Sequence, residues 1–344
     1  MNSVFEEDIK RIISEPVNWE KLRGKSVLVT GASGMIGNYV ISTLIGLNRT
    51  ENMDISISGL LRHPDKLTDE VRNQITIIEQ SVTEPVSKDY QFDYVIHTAS
   101  PASPLIMRTD PVGTIAANVL GVWNTLQSAY HSKADGYLFI SSREIYGQPE
   151  MGQDVFDEAT YGFVDPLDPR SCYPEGKKAA ETMCACYRQQ YGMNTKAARL
   201  AHTYGPGMPV DDGRVQADFF RDVINHRNIV LKSEGTAVRT YTYVSDAVAA
   251  LFYILLNGDE DEIAYNISSE DAIVSIRQLA ETMVNTFPER HLSIEFDIPE
   301  KQSNDGTAPF TLGTLSSEKL MSLGWKPRVS LQEGIKRTIK YLEE

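Results

Sequence analysis

The sequence predicts an α/β fold, a doubly wound parallel sheet with a smaller C-terminal lobe. Three observations carry that expectation. The apolar run Ser26-Val-Leu-Val-Thr30 opens directly into Gly31-Ala-Ser-Gly34-Met-Ile-Gly37, the order of a strand, a tight turn and a helix start. Strand-length apolar runs then alternate with stretches of helical periodicity. Far downstream, Tyr173-Pro-Glu-Gly-Lys177 places a phenol and an ammonium on one face of a helical segment.

Taken in order, residues 1–24 carry Phe5, Ile9, Ile12 and Ile13 at helical spacing among charges, followed by Pro16. This pattern reads as an amphipathic helix docked on its own domain. Residues 26–30, 55–61, 75–82, 94–98, 137–142 and 195–200 read as buried strands. Residues 34–47, 111–131 and 173–191 read as the intervening helices. The active crevice is then expected at the carboxyl ends of the strands. Past the turn Tyr204-Gly-Pro-Gly207, residues 218–225 and 246–256 look helical, and 229–231 and 265–267 look extended. The expected organisation is an N-terminal helical extension (1–24), a dinucleotide-binding domain (25–200) and a mainly substrate-binding lobe (201–344) interleaved with it.

Composition narrows the partners. A formal net charge of −14 argues against nucleic acid or an anionic membrane, although a few cations gathered in one cleft can still take an anion. No apolar stretch is long enough to span a bilayer, and the acidic start Met1-Asn-Ser-Val-Phe-Glu-Glu-Asp8 has no signal-peptide pattern. Cys172, Cys184 and Cys186 lack metal-ligand spacing and read as reduced thiols. A cytoplasmic protein without metal is expected.

The two motifs carry complementary chemistry. A glycine turn at a helix N-terminus lets the backbone approach a pyrophosphate. An ammonium near a phenol favours the phenolate, which can take a proton from a sugar hydroxyl while hydride leaves for a nicotinamide. Together, in this order, they indicate a nicotinamide-dependent enzyme.

Thr30-Gly-x-x-Gly-x-x-Gly37 and Tyr173-x-x-x-Lys177 resemble the extended short-chain dehydrogenase/reductase superfamily, the NAD-dependent epimerase/dehydratase family acting on nucleotide sugars. Within it the chain is most similar to the UDP-glucuronic acid decarboxylases. The stretches responsible are His97-Thr-Ala-Ser-Pro-Ala-Ser-Pro104, Asp168-Pro-Arg-Ser-Cys-Tyr-Pro-Glu-Gly-Lys177, Ala180-Glu-Thr-Met-Cys184, Thr203-Tyr-Gly-Pro206, Asp212-Gly-Arg-Val215, Tyr243-Val-Ser-Asp246 and Leu323-Gly-Trp-Lys-Pro327.

The resemblance implies a Rossmann domain, bound NAD or NADP and a nucleotide-sugar substrate. It also implies a homodimer formed through helices 111–131 and 173–191, with Val119, Val122, Met183 and Tyr187 among the contacts. It makes Tyr173 the catalytic base and has Lys177 hold ribose hydroxyls and lower the tyrosine pKa. Ser142 is to bond the reacting hydroxyl, and Glu144 to assist chemistry at the sugar C5. The implied cofactor residues are Gly31, Ser33, Gly34, Met35, Ile36, Gly37, Arg62, Ser81, Val82, Thr98, Ala99, Ser100, Asn118, Tyr173, Lys177 and Thr203. The implied substrate residues are Ser103, Arg143, His202, Arg214 and Arg239.

Departures from the family pattern are informative. No acid ends the strand 55–61 to accept from the adenosine ribose; Arg62 stands there and suits the 2′-phosphate of NADP. Ser81-Val82 replaces the usual Asp-Val. Arg143 stands where decarboxylases carry Ser and 4,6-dehydratases carry Asp, which disfavours dehydration. His202 and Gly207 replace an Asn and an Arg. The expected reaction is C4 oxidation leading to UDP-glucuronate decarboxylation. An NADPH-dependent nucleotide-sugar ketoreductase or epimerase is the alternative. A catalytically silent dinucleotide-binding regulator is less favoured, because Ser142, Tyr173 and Lys177 are all present.

Overall fold

The computed structural model describes residues 2–211, 213–298 and 313–344; Asp212 of the matched stretch 212–215 lies outside the described residues. The strands are β1 (Ser26–Thr30), β2 (Ser56–Leu61), β3 (Thr76–Glu79), β4 (Tyr94–His97), β5 (Gly136–Ser142) and β6 (Thr195–Leu200). They continue as β7 (His202–Tyr204), β8 (Ile229–Leu231), β9 (Val238–Tyr243), β10 (Ala264–Ile267), β11 (Ile273–Ser275) and β12 (Ile294–Phe296). Seven of them form one sheet in the order β10-β6-β5-β4-β1-β2-β3, with every neighbouring pair parallel. The order reverses between β1 and β4, which opens a crevice at their carboxyl ends. Strands covered on both faces must be apolar throughout, and Val27, Leu28, Val29, Val95 and Leu138 are fully buried.

The helices are α1 (Ser3–Ile13), α2 (Met35–Glu51), α3 (Asp69–Arg72), α4 (Pro104–Thr109), α5 (Pro111–Ser132) and α6 (Cys172–Tyr191). Beyond them lie α7 (Val215–Ile224), α8 (Val244–Phe252), α9 (Ile276–Thr286), α10 (Glu318–Ser322) and α11 (Leu331–Glu343). None among the described residues is long and apolar enough to cross a membrane. Local chemistry sets their limits. Asp110 accepts from the Gly113 N–H at 2.9 Å and Pro111 takes the first helical position, so α5 starts there. Gly192, at φ +68°, ends α6 in the left-handed region. The smaller sheets are β11-β9-β7 and β12-β8.

Two differences from the sequence expectation have local causes. The third strand stops at Glu79, because the Ser81 hydroxyl meets Thr83 Oγ1 at 2.8 Å and accepts from the Thr83 N–H, bending the chain. The helix expected over 246–256 begins at Val244 and ends in a wider π turn over Tyr253–Asn257.

Helix α1 lies against α2, with the Phe5 and Tyr39 rings 4.5 Å apart. Its Asp8 is fully buried and accepts from Tyr39 of α2, Tyr243 of β9 and Arg337 of α11, each at 2.8 Å. Burial holds that carboxyl above the ordinary carboxylate pKa, while the Arg337 guanidinium pulls it down. The amphipathic turn that the sequence shows therefore ties the first helix to the last.

His97, at the end of β4, is wholly buried between Thr125 Oγ1 (3.0 Å) and the Ala99 carbonyl (3.1 Å). Burial, helped by nearby Lys177, pushes its pKa down to about 3. The folded protein thus binds fewer protons at this ring than the unfolded chain does. The resulting stability is intact above pH 6.5 and declines as the pH falls toward 3. His97→Gln should destabilise at pH 7, and this penalty should shrink by about 3 kcal/mol at pH 4, where only the wild type must protonate on unfolding. Denaturant unfolding at both pH values measures it; a pH-independent penalty contradicts a buried neutral ring.

Candidate active site

One cleft of about 920 Å³ runs along the carboxyl ends of the central strands. At its floor, Gly31 adopts φ +64°, and a Cβ there would lie 2.8 Å from Ala99 Cα. A Cβ on Gly37 would come within 2.3 Å of the Gly31 carbonyl oxygen. Both glycines are required by close backbone approach. Helix α2 begins at Met35 with no side chain capping its first N–H groups, and Gly31, Ser33, Gly34, Met35, Ile36 and Gly37 line the cleft. An uncapped helix start walled by glycine fits a diphosphate. The ends of β1 and β4 are zipped by Thr98 Oγ1 donating to the Thr30 carbonyl (2.6 Å) and by the Ala99 N–H donating to Thr30 Oγ1 (3.2 Å).

Toward the far end of the cleft the wall carries Arg62, Ser81 and Val82 as expected, and also His63, Lys66 and Gln80. His63 and Lys66 had no sequence signal of their own, since they lie on and beside the turn Pro64–Lys66 that follows β2. Thr98, Ala99, Ser100, Ser103 and Thr203 complete the wall. Asn118 does not reach the cleft. It is buried behind it, donating to the Thr114 carbonyl (2.8 Å) and accepting from Ser100 Oγ (2.9 Å).

The central wall gathers Ser142, Glu144, Tyr173 and Lys177. Ser142 ends β5 and accepts from the Glu144 N–H at 3.2 Å, and it stands close enough to the Tyr173 phenol to favour the phenolate. Lys177 is 2% exposed; its Nζ donates to the Ile140 carbonyl at 2.6 Å and lies 5.6 Å from the Tyr173 ring centre. The electrostatics correct one expectation. Burial, then the charge of Glu144, pushes the Tyr173 phenol up to about 12, whereas Ser142, Arg214 and Arg170 pull it down. Lys177 is itself pushed down to about 7 by burial, so in the chain alone it is a weak source of positive charge for the phenol.

Beside this group, Arg143 is 3% exposed and His202 lies among guanidiniums. Burial and the charges of Arg143, Arg239 and Arg214 hold His202 neutral, well below its usual pKa. Arg143 is lowered to about 10 by burial and so stays charged at neutral pH. Arg214 Nη2 donates to the Ala102 carbonyl at 2.9 Å, joining the start of α7 to the loop before α4. Arg239 is not among the described residues of the cleft wall; it donates to the Val238 carbonyl (2.8 Å) and lies near Arg143. A Cβ on Gly313 would meet Arg239 Cδ at 3.0 Å and Arg143 Nε at 3.3 Å. Arg170, which the motif reading gave no role, pairs with Glu144 at 3.0 Å.

Residues 27–268 match the profile of the NAD dependent epimerase/dehydratase family. The chain is 31% identical over 322 residues to UDP-glucuronic acid decarboxylase 1 of Xenopus tropicalis, spanning 93% of this chain and 72% of that protein. It is 33% identical over 310 residues to UDP-glucuronic acid decarboxylase 6 of Arabidopsis thaliana, with 90% and 86% covered. Among solved structures, the UDP-glucuronic acid 4-epimerase of Bacillus cereus in complex with UDP-glucuronic acid and NAD is similar in fold. Its TM-score is 0.77 at 19% identity, over 92% of this chain and 99% of that one.

Arg62 and Lys66 line the far end of the cleft, and a guanidinium there suits a phosphate on an adenosine ribose. Arg62→Ala should weaken NADP binding about tenfold or more, the scale of one charge-assisted contact, and leave NAD within about twofold. Fluorescence titration with both dinucleotides measures it. Equal weakening of the two removes Arg62 from any phosphate contact.

Proposed function

The chain belongs to the NAD dependent epimerase/dehydratase family, and from that premise we propose that it oxidises C4 of a nucleotide sugar with bound NAD and that its substrate is a nucleotide uronate such as UDP-glucuronate. The relatives named as UDP-glucuronic acid decarboxylases support this reading. The observation that carries it is the gathering of Ser142, Tyr173 and Lys177 on one wall of the cleft, with Lys177 held by the Ile140 carbonyl and buried Arg143 next along the chain. A phenol and a hydroxyl on one wall can share the proton of one sugar alcohol, and the guanidinium suits a carboxylate on the neighbouring carbons.

When bound, NAD supplies a hydride acceptor at C4 and later returns the hydride. The chain's residues do the rest. The glycine loop and the start of α2 would hold the diphosphate of the dinucleotide, and Lys177 would bind its ribose hydroxyls. Tyr173 takes the proton of the 4-hydroxyl while Ser142 holds that oxygen. The product is a 4-ketone, which makes a C6 carboxylate part of a β-keto acid. The C5–C6 bond then breaks, carbon dioxide leaves, and the electron pair passes to the C4 oxygen as an enolate. Tyr173 and Ser142 are placed to donate to that oxygen. Glu144 serves as the proton relay to C5, and return of hydride to C4 gives a nucleotide pentose. Arg143 holds the substrate's anionic end before bond breaking; a grip on the carboxylate itself slows its departure. For that reason a second reading, reduction or epimerisation of another nucleotide sugar, rests on this residue.

Incubation with UDP-glucuronate should release carbon dioxide and a nucleotide pentose, read by mass spectrometry. Tyr173→Phe should lower turnover by about 10²–10⁴-fold, the usual cost of a lost general base, with NAD affinity kept. Arg143→Ser should raise the KM for the uronate about tenfold or more, as expected for one charge-assisted contact, and spare cofactor binding. Turnover of neutral nucleotide hexoses with no action on uronates would select the second reading.

A homodimer through α5 and α6 is also proposed, with one revision. Val122 and Tyr187 are buried against their own subunit, so they are not available to a second one. The exposed apolar side chains are Val112, Ile115, Leu120, Trp123 and Tyr130 on α5 and Tyr191 on α6. Such a stripe calls for cover. Trp123→Glu should convert a dimer to monomer in sedimentation velocity; a wild-type chain that is monomeric and active excludes the proposal. The three free thiols, two of them buried, suit a reducing compartment such as the cytoplasm.

A further inference from the structure

Arg170 lies outside the helix that carries Tyr173 and Lys177, in the short turn Pro169–Ser171 just before it. Asp168 fixes that turn by accepting from the Arg170 N–H at 2.9 Å. The turn packs against both α4 and α6, so the backbone that aims Arg170 also leads directly into Tyr173. Its Nη2 lies 3.1 Å from Glu144 Oε1 and 3.0 Å from Oε2, and both side chains are more than four-fifths buried. Glu144 is held at its other end by its N–H, which donates to the hydroxyl of Ser142, and Ser142, Glu144 and Tyr173 all line the cleft. Arg170, Glu144, Ser142 and Tyr173 therefore form one neighbouring set, and the charges of Glu144 and Arg170 both reach the phenol.

We propose that Arg170 is a positioning residue: its guanidinium fixes the Glu144 carboxylate beside Tyr173 and offsets the carboxylate's charge at the phenol. This rests on Tyr173 being the base. A carboxylate near a phenol opposes its ionisation, and the charge of Glu144 raises the Tyr173 pKa while that of Arg170 lowers it. Glu144 can thus stand close enough to relay a proton without disabling the base. The guanidinium meets the carboxylate through one nitrogen, Nη2, which donates to Oε1 and stands 3.0 Å from Oε2, a buried charge-assisted contact that water would not hold in place. The other charged or titratable groups facing the phenol are Arg143 after β5, Lys177 on α6, Arg214 before α7 and Cys172 beside it. None of them changes in the variants below.

The test titrates Tyr173 directly. Protein with NAD bound is labelled with 3-fluorotyrosine, and the fluorine resonance of residue 173 is identified by its loss in Tyr173→Phe. Arg170→Gln should raise the titration midpoint by about one pH unit, the scale of one neighbouring charge, and Glu144→Gln should lower it. In the Glu144→Gln background, adding Arg170→Gln should raise the midpoint by clearly less than it does in the wild type, because only the direct charge of Arg170 is lost and no carboxylate is released, and in the wild-type background Arg170→Lys should keep much of the wild-type value. On uronate substrate, Arg170→Gln should lower kcat about tenfold or more with KM within about twofold. The titration needs no turnover, so it decides the proposal even if UDP-glucuronate is not the substrate. An unmoved midpoint in Arg170→Gln, or the same shift with and without Glu144, overturns it. If Arg170→Gln melts early and cannot be titrated, Glu144→Gln still decides, because a phenol indifferent to Glu144 contradicts the proposal.

Discussion

A lysine side chain withdrawn from water fixes the geometry on which this molecule depends. Lys177 can keep its amine inside only where a strong acceptor meets it, and the Ile140 carbonyl does so at 2.6 Å, with the Phe139 ring 4.6 Å away. That bond pins α6 to the last turn of β5. Ser142, Arg143 and Glu144 follow within four residues of Ile140, so they leave the strand facing Tyr173. The price of burial is visible in the amine itself, whose pKa falls to about 7, so its charge is sensitive to whatever occupies the cleft.

The charge pattern is the second organising element. The chain carries a formal net charge of −14, yet the cleft concentrates Arg62, Lys66, Arg143 and Arg214 along its wall. Anions are drawn to such a local field despite the repulsion of the whole. Around Arg143 and Arg214, burial and the crowding of charge are strong enough to keep His202 neutral, so this ring offers hydrogen bonds rather than charge. Asp8 adds a mechanical link. Through Tyr39 it grips α2, whose start lines the cleft floor, and through Tyr243 it grips β9, which pairs with β7. The cleft floor and the small sheet beside the cleft are thereby tied to the same buried carboxylate.

Much of this was legible in the sequence because it is local. A parallel strand buried on both faces is a contiguous apolar run, and a glycine turn between strand and helix occupies seven residues, Gly31 to Gly37. The central strands and the grouping of Ser142, Glu144, Tyr173 and Lys177 followed from such runs together with the family resemblance. What was hidden depends on distant pairing. Arg170 matters through Glu144, 26 positions earlier, and Asp8 through Arg337, 329 positions later. Periodicity marked α5 and α6 as apolar but not which face lay inward. Val122 and Tyr187 therefore looked available to a partner, whereas Trp123 and Tyr191 are the side chains that remain outside. Arg239 carried a motif match; its strand β9 pairs with β7 beside the cleft, and its side chain lies near Arg143 without joining the described wall.

The central claim is that C4 of the sugar is oxidised and then restored within one binding event. It is tested most directly with UDP-glucuronate carrying deuterium at C4. The account predicts a nucleotide pentose that keeps the deuterium at C4, with no labelled reduced cofactor released. Loss of deuterium to solvent, its appearance in free reduced dinucleotide, or an unlabelled product would contradict it.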